Sequence, residues 1–373
     1  MTLARQTRLL VRVGRGQSTF LNPSPLRCKS FVSYTPEPSS CPRTQAPCRP
    51  SLQHAFTLRN LGGDRLQVHK YSTRSINSNM GGVKVVSTAG DTTLSVANDS
   101  LTRLQCVGQI CSTNDIEHNL KQCQAVVKKA VDAGAKVVFL PEGADYIGSS
   151  PDETQSLCTS AEKSKFLKGL QEEAKKHSIP ISVGAHEPSD DPNSKRLKNT
   201  LLWIDEQGQI SQRYQKLHLF DLDVEGGPKL KESDIMEPGP EILPPFDTAI
   251  GKVGSMICFD LRFPEIALSL KRQKADVLLY PSAFTPQTGK VHWHTLLRAR
   301  AIEAQCFVIA AAQVGAHNQK RSSYGHSIVI SPWGEIMAEL GEEKKDDPEV
   351  LIVDIDLERV KTVRKGMPQA RRT

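Results

Sequence analysis

The chain has 373 residues, 38% of them hydrophobic, and a formal net charge of +7. No apolar run approaches the ~20 residues that a bilayer-crossing helix needs, so no membrane span is expected. The charge is uneven: residues 1–75 hold twelve Lys and Arg against two Asp and Glu, so the remainder is slightly acidic and offers no nucleic-acid surface.

Residues 1–75 read as a mitochondrial transit region. The first 36 residues contain no acidic residue but carry Arg5, Arg8, Arg12, Arg15, Arg27 and Lys29. Leu9, Leu10 and Val11 sit among these arginines, as in a short amphipathic helix. Residues 76–100 are rich in Ser, Thr, Asn and Gly and read as a disordered linker. A mitochondrial location is expected, with a cytoplasmic form if translation also starts further on. The nine cysteines form no C-x-x-C pair and no zinc-finger spacing, so reduced thiols are expected.

The ordered domain is expected over 101–373. Leu104 to Cys111 reads as a strand, and Asn114 or Asp115 as the N-cap of a helix that Gly134 closes. Lys136 to Leu140 is a strand running into Pro141-Glu142. A helix is expected over Ala161–His177, and strands over Ile179–His186 and Thr200–Asp205. A turn at Glu206-Gln207-Gly208 then gives a returning strand, Ile210–Lys216. Residues 221–240 read as a long loop. Gly251 to Ile257 is a strand that ends at Cys258, with Pro264 at the first turn of a helix. Further strands are expected at Val277–Tyr280, Phe307–Gln313, Ser327–Ile330 and Val350–Ile355, and a helix at Val291–Gln305. Alternating strands and helices indicate an α/β fold, and the hairpin argues for mixed sheets.

Glu142, Lys216 and Cys258 each end their own strand. Singly, each has a structural explanation: a solvated edge for the charges, core filling for the thiol. Together they form a workable set for acyl transfer. A carboxylate can take the thiol proton, an ammonium can stabilise an oxyanion, and a thiolate can attack a carbonyl. A Ser-His-Asp hydrolase is disfavoured because no G-x-S-x-G elbow occurs.

The residues around these three carry a resemblance. Leu140-Pro141-Glu142, Tyr214-Gln215-Lys216-Leu217-His218 and Cys258-Phe259-Asp260-Leu261-Arg262-Phe263-Pro264-Glu265 are similar to the three signature blocks of the nitrilase (carbon–nitrogen hydrolase) superfamily. The resemblance implies an α-β-β-α four-layer sandwich, paired in a homodimer or higher homo-oligomer, with no cofactor and no metal. It implies that Glu142 is the general base, Lys216 the oxyanion-stabilising cation and Cys258 the nucleophile. It gives the Phe259 N–H as the backbone partner of the oxyanion, and Glu232 as a second active-site carboxylate with Glu225 as a rival. Arg262 and Glu265 resemble a structural ion pair behind the nucleophile.

His292-Trp293, Leu297 to Glu303 and Ser322 to Ser327 resemble the deaminated glutathione amidase branch of that superfamily. The implied reaction is hydrolysis of deaminated glutathione to 2-oxoglutarate and cysteinylglycine, through a thioester on cysteine. The alternatives are an ω-amidase acting on α-ketoglutaramate, and a catalytically silent scaffold on the same fold. These small substrates carry carboxylates, so the pocket should offer cations. Arg321, Lys320, His326 and Arg298 are the candidates. His292 and His294 lie two apart on a helix and face different ways, so they do not form a metal pair.

Overall fold

The computed structural model describes residues 83–86, 103–223 and 229–370. Strands β1 (Val83–Val86) and β2 (Leu104–Gln109) precede helix α1 (Ile116–Asp132) and strand β3 (Val137–Phe139). Helices α2 (Pro151–Leu157) and α3 (Lys165–His177) lead into an antiparallel run of β4 (Ile181–Pro188), β5 (Leu197–Ile204) and β6 (Ile210–Gln215). A short hairpin follows, β7 (Asp221–Asp223) with β8 (Lys229–Lys231), and then β9 (Phe246–Thr248) and β10 (Gly251–Ser255). Helix α4 (Pro264–Arg272), β11 (Val277–Leu279), α5 (Pro286–Ala304) and β12 (Phe307–Ala310) continue the second half. Hairpin β13 (Val314–Ala316) and β14 (Ser322–Tyr324), strands β15 (Ile328–Ile330), β16 (Ile336–Glu339) and β17 (Glu349–Asp354), and helix α6 (Leu357–Gly366) follow among the described residues.

Two mixed sheets result. The first runs β1-β17-β2-β3-β4-β5-β6 and the second β16-β15-β12-β11-β10-β9. Period-two alternation decides what each face of the first sheet buries. Val107, Val137, Phe139, Leu201, Trp203, Leu351 and Val353 join one apolar cluster, which also holds β10, β11, β12 and β15. Their neighbours Cys106, Val138, Leu202, Ile204, Val350 and Ile352 join the other, with Val126, Val127, Phe166 and Leu170 of α1 and α3. The second sheet is covered on its far side by α4 and α5 through Ile266, Leu270, Trp293, Leu297 and Ala301. The order is therefore helices, sheet, sheet, helices: the four-layer α-β-β-α sandwich with mixed sheets.

The helix signals act where the residues dictate. Asp115 is the N-cap of α1, its side chain accepting from the His118 N–H, and Gly134 adopts φ 72° just past the helix end. The helix expected from Ala161 begins instead at Lys165, because the Ser164 side chain caps the Leu167 N–H. Residues 221–240, expected as a loop, contain the β7–β8 hairpin and a 3₁₀ turn at Glu232–Asp234. The expected linker 76–100 contributes β1, which pairs in parallel with β17 and covers an otherwise open sheet edge. The transit region expected at 1–75, the other residues of 76–100 and Glu225 lie outside the described residues.

Strand β3 delivers Glu142 through a close backbone crossing. The Gly184 N–H of β4 donates to the Pro141 carbonyl at 3.1 Å, and the Ala144 N–H donates to the Gly184 carbonyl at 2.8 Å. A Cβ at Gly184 would lie 2.5 Å from the Glu142 Cα and 2.8 Å from the Pro141 oxygen. Both neighbours are backbone and cannot swing aside. Gly184→Ala should destabilise the protein by about 1–3 kcal/mol, the usual range for overpacking, and lower activity by displacing Glu142. Thermal melting and steady-state kinetics on the variant check this; unchanged Tm and turnover would contradict the crossing.

Candidate active site

Cys258 stands three residues beyond β10, at the start of a 3₁₀ segment that runs to Arg262. Its φ is 47°, a left-handed conformation that non-glycine residues rarely adopt. Asp260 holds this turn. Its carboxylate accepts from the Ile257 N–H at 3.0 Å and from the Tyr214 hydroxyl at 2.7 Å. It also accepts from the His218 N–H at 3.0 Å and lies 2.8 Å from the His218 ring. Tyr214 and His218 flank Lys216, so one wholly buried carboxylate fastens the lysine segment to the cysteine turn.

Lys216, just past the end of β6, is 2% exposed. Its Nζ donates to Glu142 Oε1 at 2.9 Å and to both oxygens of Glu232 at 2.9 and 2.8 Å. Glu232 opens the short 3₁₀ turn after β8 and also accepts from the Phe220 N–H at 2.6 Å. Asn199 of β5 spans the two carboxylates, donating to Glu142 at 2.8 Å and to Glu232 at 3.1 Å. The second oxygen of Glu142 accepts from the Ala283 N–H at 2.8 Å. The Glu142 carbonyl is held in turn by Gln313 Nε2 at 3.0 Å.

The electrostatics fix the resting protons. Burial would raise the Glu142 pKa, but the Lys216 ammonium and hydrogen bonds from Lys216, Cys258 and Asn199 outweigh it and hold the carboxyl below its ordinary value. Burial would lower the Lys216 pKa, but Glu142 and Glu232 drive it well above the usual range. Cys258 goes the other way: burial and the Glu142 charge push its thiol well up, against the pull of Lys216. At neutral pH the site therefore rests as a thiol hydrogen-bonded to a carboxylate, beside an ammonium.

The thiol opens into a cleft lined by Phe220, Cys258, Phe259, Arg262, Ala283, Phe284, Thr285 and Thr288. The first intrahelical bond of the 3₁₀ segment runs from the Asp260 N–H to the Ile257 carbonyl, so the Phe259 N–H precedes it at the end where helix amides lack partners. The Arg262 guanidinium lies 5.5 Å from the Phe259 ring centre and 5.7 Å from that of Phe284. Burial lowers its pKa somewhat, while the nearby Cys258 works against that.

The structure thus brings together Glu142, Lys216, Cys258 and Glu232, with Phe259 in the cleft wall. It does not bring the four expected cations there. Lys320 and Arg321 are exposed in the β13–β14 turn, where Asn318 Oδ1 accepts from both backbone N–H groups. Arg298 donates to the Gly334 carbonyl at 2.9 Å. His326 pairs with Glu339. The cation in the cleft is Arg262, and the ion pair expected between Arg262 and Glu265 does not form. The backbone bends at Phe263, so the three-residue helical spacing does not bring the two together. Arg262 instead meets His292 Nδ1 at 3.2 Å, and Glu265 is exposed. His292 and His294 do diverge, the latter meeting Glu339. Asn199 and Asp260 were not singled out by their position in sequence; the D of C-F-D-L-R was the only available signal for Asp260.

Comparison with known proteins places the chain in a family. The carbon–nitrogen hydrolase family profile matches residues 106–365. "Probable hydrolase nit2" of Schizosaccharomyces pombe is 45% identical over 270 residues, covering 72% of this chain and 97% of that protein. "Deaminated glutathione amidase" of Dictyostelium discoideum is 42% identical, over 70% of this chain and 90% of that protein. The human protein of that name is 39% identical, over 71% and 80% respectively. Among solved structures, Saccharomyces cerevisiae Nit3 superposes with a TM-score of 0.63 at 30% identity, over 73% of this chain and 96% of that one. The Caenorhabditis elegans NitFhit protein gives 0.66 at 42% identity, over 72% of this chain and 64% of that one. The chain is a carbon–nitrogen hydrolase of the nitrilase superfamily, similar to amidases within it.

Proposed function

We propose that the protein hydrolyses deaminated glutathione to 2-oxoglutarate and cysteinylglycine, with Cys258 as nucleophile. The observation that carries the proposal is the hydrogen-bonded Glu142, Lys216 and Cys258 set opening into a cleft whose wall holds a guanidinium. The similarity to two proteins named deaminated glutathione amidase supports this substrate. The scaffold reading has no support in a catalytic set this complete.

The proposed reaction follows from the resting protons. Cys258 Sγ attacks the amide carbon as Glu142 takes the thiol proton. The carbonyl oxygen becomes an oxyanion beside the Phe259 N–H and the Lys216 ammonium. Glu142 then gives its proton to the departing amine of cysteinylglycine, leaving a thioester. Water attacks the thioester with Glu142 again accepting the proton, and the returning thiolate recovers it as 2-oxoglutarate leaves. Glu232 keeps Lys216 charged and in place throughout. Arg262 receives a carboxylate of the substrate's 2-oxo acid portion, a charge-assisted pairing suited to a guanidinium. The ω-amidase substrate α-ketoglutaramate carries the same acyl group, so the leaving amine separates the two activities.

Cys258→Ala should lower kcat/KM for deaminated glutathione by about 10⁴-fold or more, the scale on which catalytic nucleophiles are missed, with the fold retained by circular dichroism. Residual turnover near the wild-type value would overturn the assignment. The ratio of kcat/KM for deaminated glutathione and α-ketoglutaramate should favour the former; the reverse ratio makes the protein an ω-amidase. Arg262→Leu should cost about 10- to 100-fold in kcat/KM on either carboxylate substrate, the value of one charged hydrogen-bonding contact, and little on an uncharged amide. Equal losses on both kinds of amide would remove Arg262 from substrate binding.

The pH profile has a definite sign. Glu142 is held below its ordinary value, so it remains a base as pH falls through the usual carboxylate range. The acid limb of kcat/KM should lie below the ordinary value of ~4.3, and Asn199→Ala, which removes one of the bonds holding the carboxylate down, should move it upward. A limb centred near neutrality would contradict Glu142 as the base. Stability follows the same group. Its contribution is fully present above the unfolded carboxylate pKa and is lost as pH falls through the lower folded value.

A further inference from the structure

A second group of titratable side chains converges outside the cleft lining. His294 comes from α5, His326 from the turn between β14 and β15, and Glu339 from the end of β16. Their donor atoms lie within 4.8 Å of one another, and all three residues are part-buried. Both rings address the same carboxylate oxygen. His294 Nε2 lies 2.6 Å from Glu339 Oε1, and His326 Nδ1 makes a similarly close contact with it. The proposed amide chemistry uses none of the three.

The surroundings orient the rings. His326 follows Gly325, and both have positive φ, 59° and 78°. The Trp293 indole N–H donates to the His326 carbonyl at 2.9 Å, and the His326 N–H donates to the Gly341 carbonyl at 3.2 Å. The Tyr324 ring stacks on the His326 ring at 4.2 Å, and the two imidazoles meet edge to face at 5.2 Å. Two imidazole nitrogens and one carboxylate oxygen, brought from three elements and held by their neighbours, form the donor set of a borderline divalent ion with open coordination positions. The nitrogen donors disfavour magnesium and calcium.

We propose that His294, His326 and Glu339 bind a zinc ion that ties α5 to the β15–β16 edge of the second sheet. The ion takes one ring nitrogen from each histidine and an oxygen from Glu339, each at ~2.0–2.2 Å, and the carboxylate draws back from the two rings to admit it. Trp293, beside His294, packs at 4.9 Å from Phe284 of the cleft wall, so the tie lies directly behind that wall.

The test uses the full chain carrying Cys258→Ser, which removes the active-site thiol as a competing ligand. After stripping with a chelator, the protein is titrated with zinc chloride against a chromophoric chelator, and separately with cobalt chloride. A single saturable ion per chain is expected. Affinity should fall at least about 10- to 100-fold in His294→Ala and in Glu339→Gln, the loss typical even of groups that only support a ligand. The cobalt complex should show d–d bands of nitrogen and oxygen ligation without thiolate charge transfer, which decides the question even if a variant folds poorly. Absence of saturable binding, binding indifferent to both substitutions, or a thiolate spectrum would each overturn the site.

Discussion

A lysine ammonium held between two carboxylates is the constraint on which this structure depends. Lys216, Glu142 and Asn199 are buried, and Glu232 is part-buried. A single buried charge would be strongly unfavourable, and removal of one partner from such a cluster typically costs about 3–5 kcal/mol. Glu142 and Glu232 between them surround the ammonium, and Asn199 and the Phe220 and Ala283 amides satisfy the remaining oxygens. The arrangement leaves one net negative charge in the cluster, placed where a thiol proton can be received. The same pairing that stabilises the buried ions therefore makes Glu142 a base at neutral pH.

The fold exists around that cluster in a direct sense. Each participating side chain lies just beyond a strand: Glu142 after β3, Lys216 after β6, Cys258 after β10. Strand ends are rigid, and their carboxyl ends are where α/β folds collect ligands. The two sheets meet through a shared apolar core, so a displacement in one is felt in the other. Asp260 adds a polar fastening across the same boundary, linking the 3₁₀ turn of Cys258 to Tyr214 and His218 on either side of Lys216. The unusual φ of Cys258 is held by that fastening and by the bond from its own N–H to the Pro281 carbonyl at 3.0 Å.

Much of this was legible in the residues. Apolar runs bounded by turn residues marked the strands, and Asn114 or Asp115 and Pro264 marked helix starts. The three strand-end groups were visible as chemistry, and Glu232 through the family resemblance. What escaped depended on geometry between distant segments. Asn199 sits in mid-strand and gains its role only because β5 passes both carboxylates. The Arg262 and Glu265 pair is implied by the family resemblance, but the extended backbone at Phe263 parts the two side chains. The cations expected in the pocket were chosen for their charge, but the turn that carries Lys320 and Arg321 holds them at the surface. His294 and His326 lie 32 positions apart in the chain and meet only because α5 packs beside the β14–β15 turn.

The central claim is that amide cleavage passes through an acyl group on Cys258. The most direct measurement is intact-protein mass spectrometry after rapid acid quench during turnover of deaminated glutathione, with peptide mapping of any adduct. The account predicts a mass increment equal to the 2-oxoglutaryl acyl group, mapped to Cys258 and released on further incubation. Continued turnover with no adduct at any quench time, or an adduct on a different residue, would contradict it.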